Sequence, residues 1–194
     1  MEFKNILNIN NRRDFRIWLE SNAETESECY VSVKRGKPKD ETVFYYLDAV
    51  EEALCFGWID STVKEIDGKR MQRFSPRRKN SLWTELNKER VRRLEKLGLM
   101  TDLGKNVLPP MDKNSFHIDT DIETAMKKAR VWAIFKRFPP LYQRVRAYNV
   151  MFYKKRSTEA YEKALSHLIS ETKKGKLFGE WNDYGRLLNY TEIE

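Results

Sequence analysis

A chain of 194 residues is long enough for one large domain or two small ones around a substantial core. Apolar residues at 40%, 12% of the chain being aromatic, set against 34% charged, exclude disorder driven by low hydrophobicity. The formal charge of +8 favours anionic partners, and no apolar run approaches the roughly 20 residues that span a bilayer.

The start, MEFKNILNIN, lacks the apolar stretch of a secretory signal, so a cytoplasmic protein is expected. Asn11 is placed to cap a first helix, with Asp14 at its third position and Phe15, Trp18 and Leu19 on one face. Residues 28–34 alternate as a half-buried strand should, Cys29, Val31 and Val33 against Tyr30, Ser32 and Lys34. From about 42 to 56, Tyr46, Ala49, Val50, Ala53 and Leu54 keep helical spacing, Asp48, Glu51 and Glu52 are expected to face outward, and Gly57 supplies the stop.

Asp67-Gly68, between two alternating runs, predicts a type I′ hairpin joining strands near 58–66 and 69–75. In an unbroken register Thr62 faces Arg73 and Asp60 faces Ser75. Ile59, Val63 and Phe74 then share one face, and Trp58, Asp60, Thr62, Arg73, Ser75 and Arg77 the other. After Pro76, Ser81 or Thr84 can cap a helix to about Leu97, whose stripe of Trp83, Leu86, Val91, Leu94 and Leu97 also contains Asn87 and Arg90. Residues 99–118 read as a connection. Helices over about 119–137, 139–155 and 158–174 follow, and the aromatic tail is expected to pack back on the body. The fold class is therefore α+β, a small antiparallel sheet with a central hairpin covered by helices, then a helical C-terminal half. The parts are residues 1–110, 111–176 and a tail, 177–194.

The charge is segregated. Residues 69–93 hold ten Lys or Arg against Glu85 and Glu89, and residues 127–156 hold ten and no acid. Such windows produce either a positive surface or solvated helix faces. Within the first window, Arg77 and Arg78 suit bidentate capture of phosphate or carboxylate, and Trp58 and Trp83 either stack a planar ligand or fill the core. Asp60 either orients an arginine or exchanges a proton, or else pairs across the strands with Arg73. With Ser61, Arg73, Ser81 and Asn87 these residues form the candidate ligand site. Cys29 and Cys55 have no metal or redox spacing, Cys55 being a buried thiol or a nucleophile, and two histidines supply neither a zinc site nor a His-dependent triad. No cofactor fingerprint or metal cluster is present in the sequence, and none is expected.

The stretches LDAVEEALCFGWIDS, RFSPRR and SLWTELNKERVRRLEKLGLM resemble the bacterial YdeI/OmpD-associated family, also labelled bacteriocin-protection or OmdA-like proteins. The family pattern is roughly ALCFGWIDS, F-x-P-R-R, S-x-W-S-x-x-N and R-x-x-L-x-x-x-G-x-M, and the resemblance runs from the FRIWL helix to about residue 176. Gly57, Trp58, Ile59, Asp60 and Ser61 fall on the signature, and Pro76, Arg77, Arg78, Ser81, Trp83 and Asn87 on the second motif. Thr84 stands where the family usually has Ser, and YKKRSTEAYEKAL lacks the later arginines of the family's C-terminal motif. The resemblance implies a stress or antimicrobial-tolerance role and no specific chemistry. The leading expectation is a noncatalytic protein binding nucleic acid or a phosphorylated metabolite. The alternatives are an enzyme on an anionic small molecule, with Asp60 as acid or base and an arginine clamp, and a module docking an acidic protein.

Overall fold

A computed structural model describes residues 3–78, 80–188 and 190. The fold is α+β. The chain forms two compact units, Met1–Leu82 with Arg90–Pro109, and Trp83–Glu89 with Pro110–Glu194.

In the first unit, β1 (Ile6–Leu7), β2 (Cys29–Val31), β3 (Trp58–Ile66) and β4 (Lys69–Pro76) form one sheet in the order β1-β2-β4-β3. The sheet is mixed rather than antiparallel, because β1 pairs in parallel with β2, Ile6 to Tyr30 and Leu7 to Val31. Two residues are too few to show an alternating pattern. β2 is shorter than its alternation suggests and is buried on both faces, since Tyr30 packs with Ile66, Met71 and Phe3 on the side away from the helices.

The hairpin turn forms as expected, Asp67 and Gly68 both lying at positive φ (50° and 72°). Its register is interrupted. Val63 pairs with Gln72, but Asp60 pairs with Phe74, Ile59 with Ser75 and Trp58 with Pro76, so Ser61 and Thr62 together oppose Arg73. The buried Gln72 amide donates to the carbonyls of Ser61 (3.3 Å), Thr62 (3.4 Å) and Arg73 (3.2 Å), groups for which the broken ladder is a poor partner. This bulge overturns the expected faces. Trp58 and Asp60 join Phe74 on the helix-covered side, while Arg73, opposite Tyr30, points to the other.

α1 (Arg12–Asn22) is capped by the Asn11 side chain, which accepts from the Asp14 N–H at 2.9 Å. Its Phe15 meets Phe74 at 5.4 Å between ring centroids, and its Trp18 meets Trp58 at 5.8 Å. α2 (Tyr46–Cys55) lies on the same face, and its acids do not face water. Glu51 is 0% and Glu52 2% exposed, and Asp48 is buried. Arginines from α1 and α3 (Glu85–Lys96) neutralise them. Arg12 Nη1 and Arg93 Nη1 each stand 2.8 Å from Glu51, Arg16 Nη1 2.9 Å from Glu52, and Arg12 Nε also bonds Glu52. α4 (Asp102–Asn106) approaches the end of α2 at Gly104, where a Cβ would sit 2.2 Å from the Cys55 carbonyl oxygen.

In the second unit, the helix expected over 119–137 is two, α5 (Thr120–Lys128) and α6 (Trp132–Phe135). Arg130 at φ 60° ends α5 in a Schellman closure, its N–H donating to the Lys127 carbonyl (2.9 Å) and the Val131 N–H to that of Met126 (3.0 Å). α7 (Pro140–Lys154) starts on a proline, and α8 (Thr158–Lys173) on the Ser157 cap. The core holds Ile122, Met126, Phe135, Tyr142, Val145 and Leu168, joined by Trp181 and Leu187 from the tail. The first turns of α3, capped by the Thr84 hydroxyl (3.0 Å from the Asn87 nitrogen), belong to this unit.

Candidate functional site

The residues expected to form one site are distributed among several environments. Trp58 is core, its indole N–H donating to the Ala23 carbonyl at 3.1 Å, and Trp83 is buried in the second unit. Asp60 accepts a 2.6 Å bond from the Tyr46 hydroxyl, and burial, with the adjacent Asp60 charge, pushes Tyr46 up to about 12. The Arg35 guanidinium lies 3.6 Å from the Tyr46 ring centroid and donates to Gln72 Oε1 at 2.6 Å. Arg73, on the opposite face, pairs with Glu28 (2.7 Å) and donates to Ser61 Oγ (3.1 Å), so the expected cross-strand pair with Asp60 does not form.

Arg77 is buried within its own loop. Its N–H donates to the Gly57 carbonyl (2.8 Å) and its Nη1 to Ser81 Oγ and the Leu82 carbonyl, both at 3.3 Å. The loop wraps a guanidinium that was expected to grip a ligand. Arg78 is exposed, and Asn87 is half-buried in the second unit. An arginine clamp around Asp60 is therefore not assembled from Arg73 and Arg77. Both cysteines are free and buried, and desolvation raises both thiols, Cys55 to about 12, so neither is an activated nucleophile.

Much of the segregated basic charge is also internal. Arg73 and Arg93 are paired as described, Lys88 meets Glu85 at 3.1 Å, and Arg144 meets Glu89 at 2.8 Å and Glu85 at 3.4 Å. Lys154 bridges Asp119 and Asp121. Arg146 and Arg156 lie over Phe178 and Phe152 at 4.8 and 3.9 Å.

Lys136 and Arg144 of the second window line a cavity of about 450 Å³ within the second unit, a volume in the range of small-molecule sites. Lys113, His117, Lys136 and Arg144 line it together with Trp132 and Phe116, and Glu123 also reaches it. Arg144 is held rigidly by the buried Glu85 and Glu89, and Glu89 further accepts from the Tyr190 hydroxyl (2.5 Å). Lys113 stands 3.3 Å from Glu89 yet stays partly exposed. Lys136 lies 5.6 Å from the centroid of the Trp132 ring, and among the described residues it has no ion pair. Gln143 donates to the carbonyls of Lys136 (3.2 Å) and Phe138 (2.7 Å), fixing the turn that carries this lysine. Sequence reasoning missed the site because Lys113 and His117 sit in a stretch read as mere connection. The clue present was the acid-free window that contains Lys136 and Arg144.

Residues 7–107 match the model of a family described as a domain of unknown function, DUF8412, which is just over half of the chain. The chain belongs to this family. No curated protein and no solved structure matches it. The DUF8412 segment contains β2, β3, β4, Asp60, Tyr46 and all the arginines and acids buried around α2, whereas every residue lining the cavity lies beyond it. The DUF8412 description names no function and makes no link to YdeI/OmpD-associated proteins.

Proposed function

We propose that the protein is a noncatalytic anion-binding protein whose ligand is a small phosphorylated molecule held in the cavity of the second unit. One observation carries this reading. Lys113, His117, Lys136 and Arg144 meet an aromatic wall around one space of ligand size. Buried carboxylates preorganise Arg144 from behind, which lowers the entropy lost on binding, while the ammonium groups of Lys113 and Lys136 sit on flexible stems. A small-ligand site fits this geometry better than a nucleic-acid groove, because so many arginines of the basic windows are engaged within the protein. The setting in antimicrobial or stress tolerance follows from the resemblance to YdeI/OmpD-associated proteins and is proposed on that ground alone.

Isothermal titration of the full chain with pyrophosphate and with ribose 5-phosphate tests the reading. Saturable binding with a shallow salt dependence is expected, and Lys136→Met should weaken it by about tenfold or more through the loss of one charge-assisted contact. Lys136 is exposed, so the variant should keep its melting temperature. Absence of saturable binding at low salt overturns the proposal. Tight binding of duplex DNA with a steep salt slope would replace it with a polyanion surface.

A further inference from the structure

We infer that the ligand of this cavity is a nucleoside phosphate, an inference that rests on the anion-binding reading above and narrows its chemistry. The first observation is the mixed lining. A site for a bare inorganic anion needs donors and little else, but here Trp132, Phe116 and Ile118 line the same space as the cations. A planar group beside the indole is the ligand portion that makes use of them, as bases do on aromatic side chains. The second is Glu123. It is one of the residues that line the cavity, and its partly exposed carboxylate stands 2.7 Å from Lys127. A carboxylate repels a bare anion, yet it accepts hydrogen bonds from a sugar diol, the role acidic residues take toward ribose in nucleotide sites. The third is the state of the cations. Arg144 is committed to Glu85 and Glu89, which leaves Lys136, free of any ion pair among the described residues, to move onto a phosphate, while the exposed Lys113, 3.3 Å from Glu89, has a stem long enough to turn toward the same group. Aromatic wall, carboxylate and mobile ammonium groups thus supply one partner for each part of a nucleotide: base, ribose and phosphate.

Tryptophan fluorescence and calorimetric titration of the full chain with AMP, GMP, CMP and UMP, beside ribose 5-phosphate, pyrophosphate and adenosine, decide the question. At least one nucleoside monophosphate should bind roughly 5- to 100-fold tighter than ribose 5-phosphate, the gain expected from base stacking. Adenosine should bind weakly. Glu123→Gln should weaken that nucleotide several-fold while leaving pyrophosphate unchanged, and Trp132→Leu should reduce it to the level of ribose 5-phosphate. Because Trp132 packs against the core, Trp132→Leu is read only with an intact melting transition, and the ligand comparison on the unaltered chain stands without it. Equal affinity for ribose 5-phosphate and all four nucleotides overturns the nucleotide inference and leaves the anion site standing. Failure of every phosphorylated compound to bind removes both.

Discussion

Glu51→Gln should be among the most damaging conservative changes in the first unit. Glu51 is wholly buried and takes a 2.8 Å bond from Arg12 on one oxygen and from Arg93 on the other. Glutamine keeps the volume but removes the charge and turns an N–H₂ toward one of the guanidiniums. Breaking a buried ion pair by removing one partner costs about 3–5 kcal/mol. The lower end applies here, because the Arg12 side chain is 32% and that of Arg93 17% exposed, and Arg12 keeps Glu52. A loss of about 3 kcal/mol is a large part of the 5–15 kcal/mol typical of a domain. With a urea m value of about 1–3 kcal/mol per molar, the unfolding midpoint should fall by about 1–3 M at unchanged m. Far-UV circular dichroism and tryptophan fluorescence would follow it together, and coincident curves would justify a two-state treatment. The partly reciprocal double variant, Glu51→Gln with Arg93→Gln, should recover some of the loss. By contrast Asp102→Asn, which breaks an exposed pair with Lys105, should leave the midpoint where it was. A Glu51→Gln midpoint within about 0.3 M of the parent would refute the view that these acids are held by the arginines.

Gln72→Leu should cost about 1–3 kcal/mol, since it strips the bulge carbonyls of Ser61 and Thr62 of their donor and Arg35 of its acceptor; thermal melts and faster amide exchange along β3 would report it. Gly104→Ala should also cost about 1–3 kcal/mol by overpacking against the Cys55 carbonyl, and a melting temperature equal to the parent's would show that α4 moves away freely. Tyr46 has its folded pKa raised to about 12 against an ordinary 10, so its contribution is complete below pH 10 and is lost as pH rises toward 12. A phenolate titration at 295 nm should show the late-ionising phase, to which buried Tyr142 also contributes, shrink by one tyrosine in Tyr46→Phe; an unchanged late phase would assign it to other residues.

The elements fixed by local chemistry were legible. The Asn11 cap and the Asp67-Gly68 turn each depend on a side chain or a positive φ within three residues, and each forms where it was expected. The break between α5 and α6 was not legible, because Arg130 occupies a left-handed position that glycine usually marks. β1 is too short for any periodicity to register.

The larger departures share one cause, which is that sequence patterns assign a side chain to a face without knowing what lies opposite. An alternating strand was read through Ser61 and Thr62 as though uninterrupted, so one extra residue carried Asp60 away from Arg73 and dissolved the expected clamp. An amphipathic helix was read with its acids toward water, yet Arg12, Arg16 and Arg93 approach from up to 42 residues away and make burial tolerable. The charge windows follow the same logic. Ten basic residues in a row of thirty suggest a positive surface only while their acids are out of sight, and Glu85 and Glu89, in the other window, claim Arg144 across more than fifty residues. What distinguishes Lys136 is therefore not its place in a basic window but the absence of an ion pair to any described residue, beside an indole, in a space large enough for a ligand. That is why the cavity, rather than the richest stretch of arginines, is where an anion should be sought.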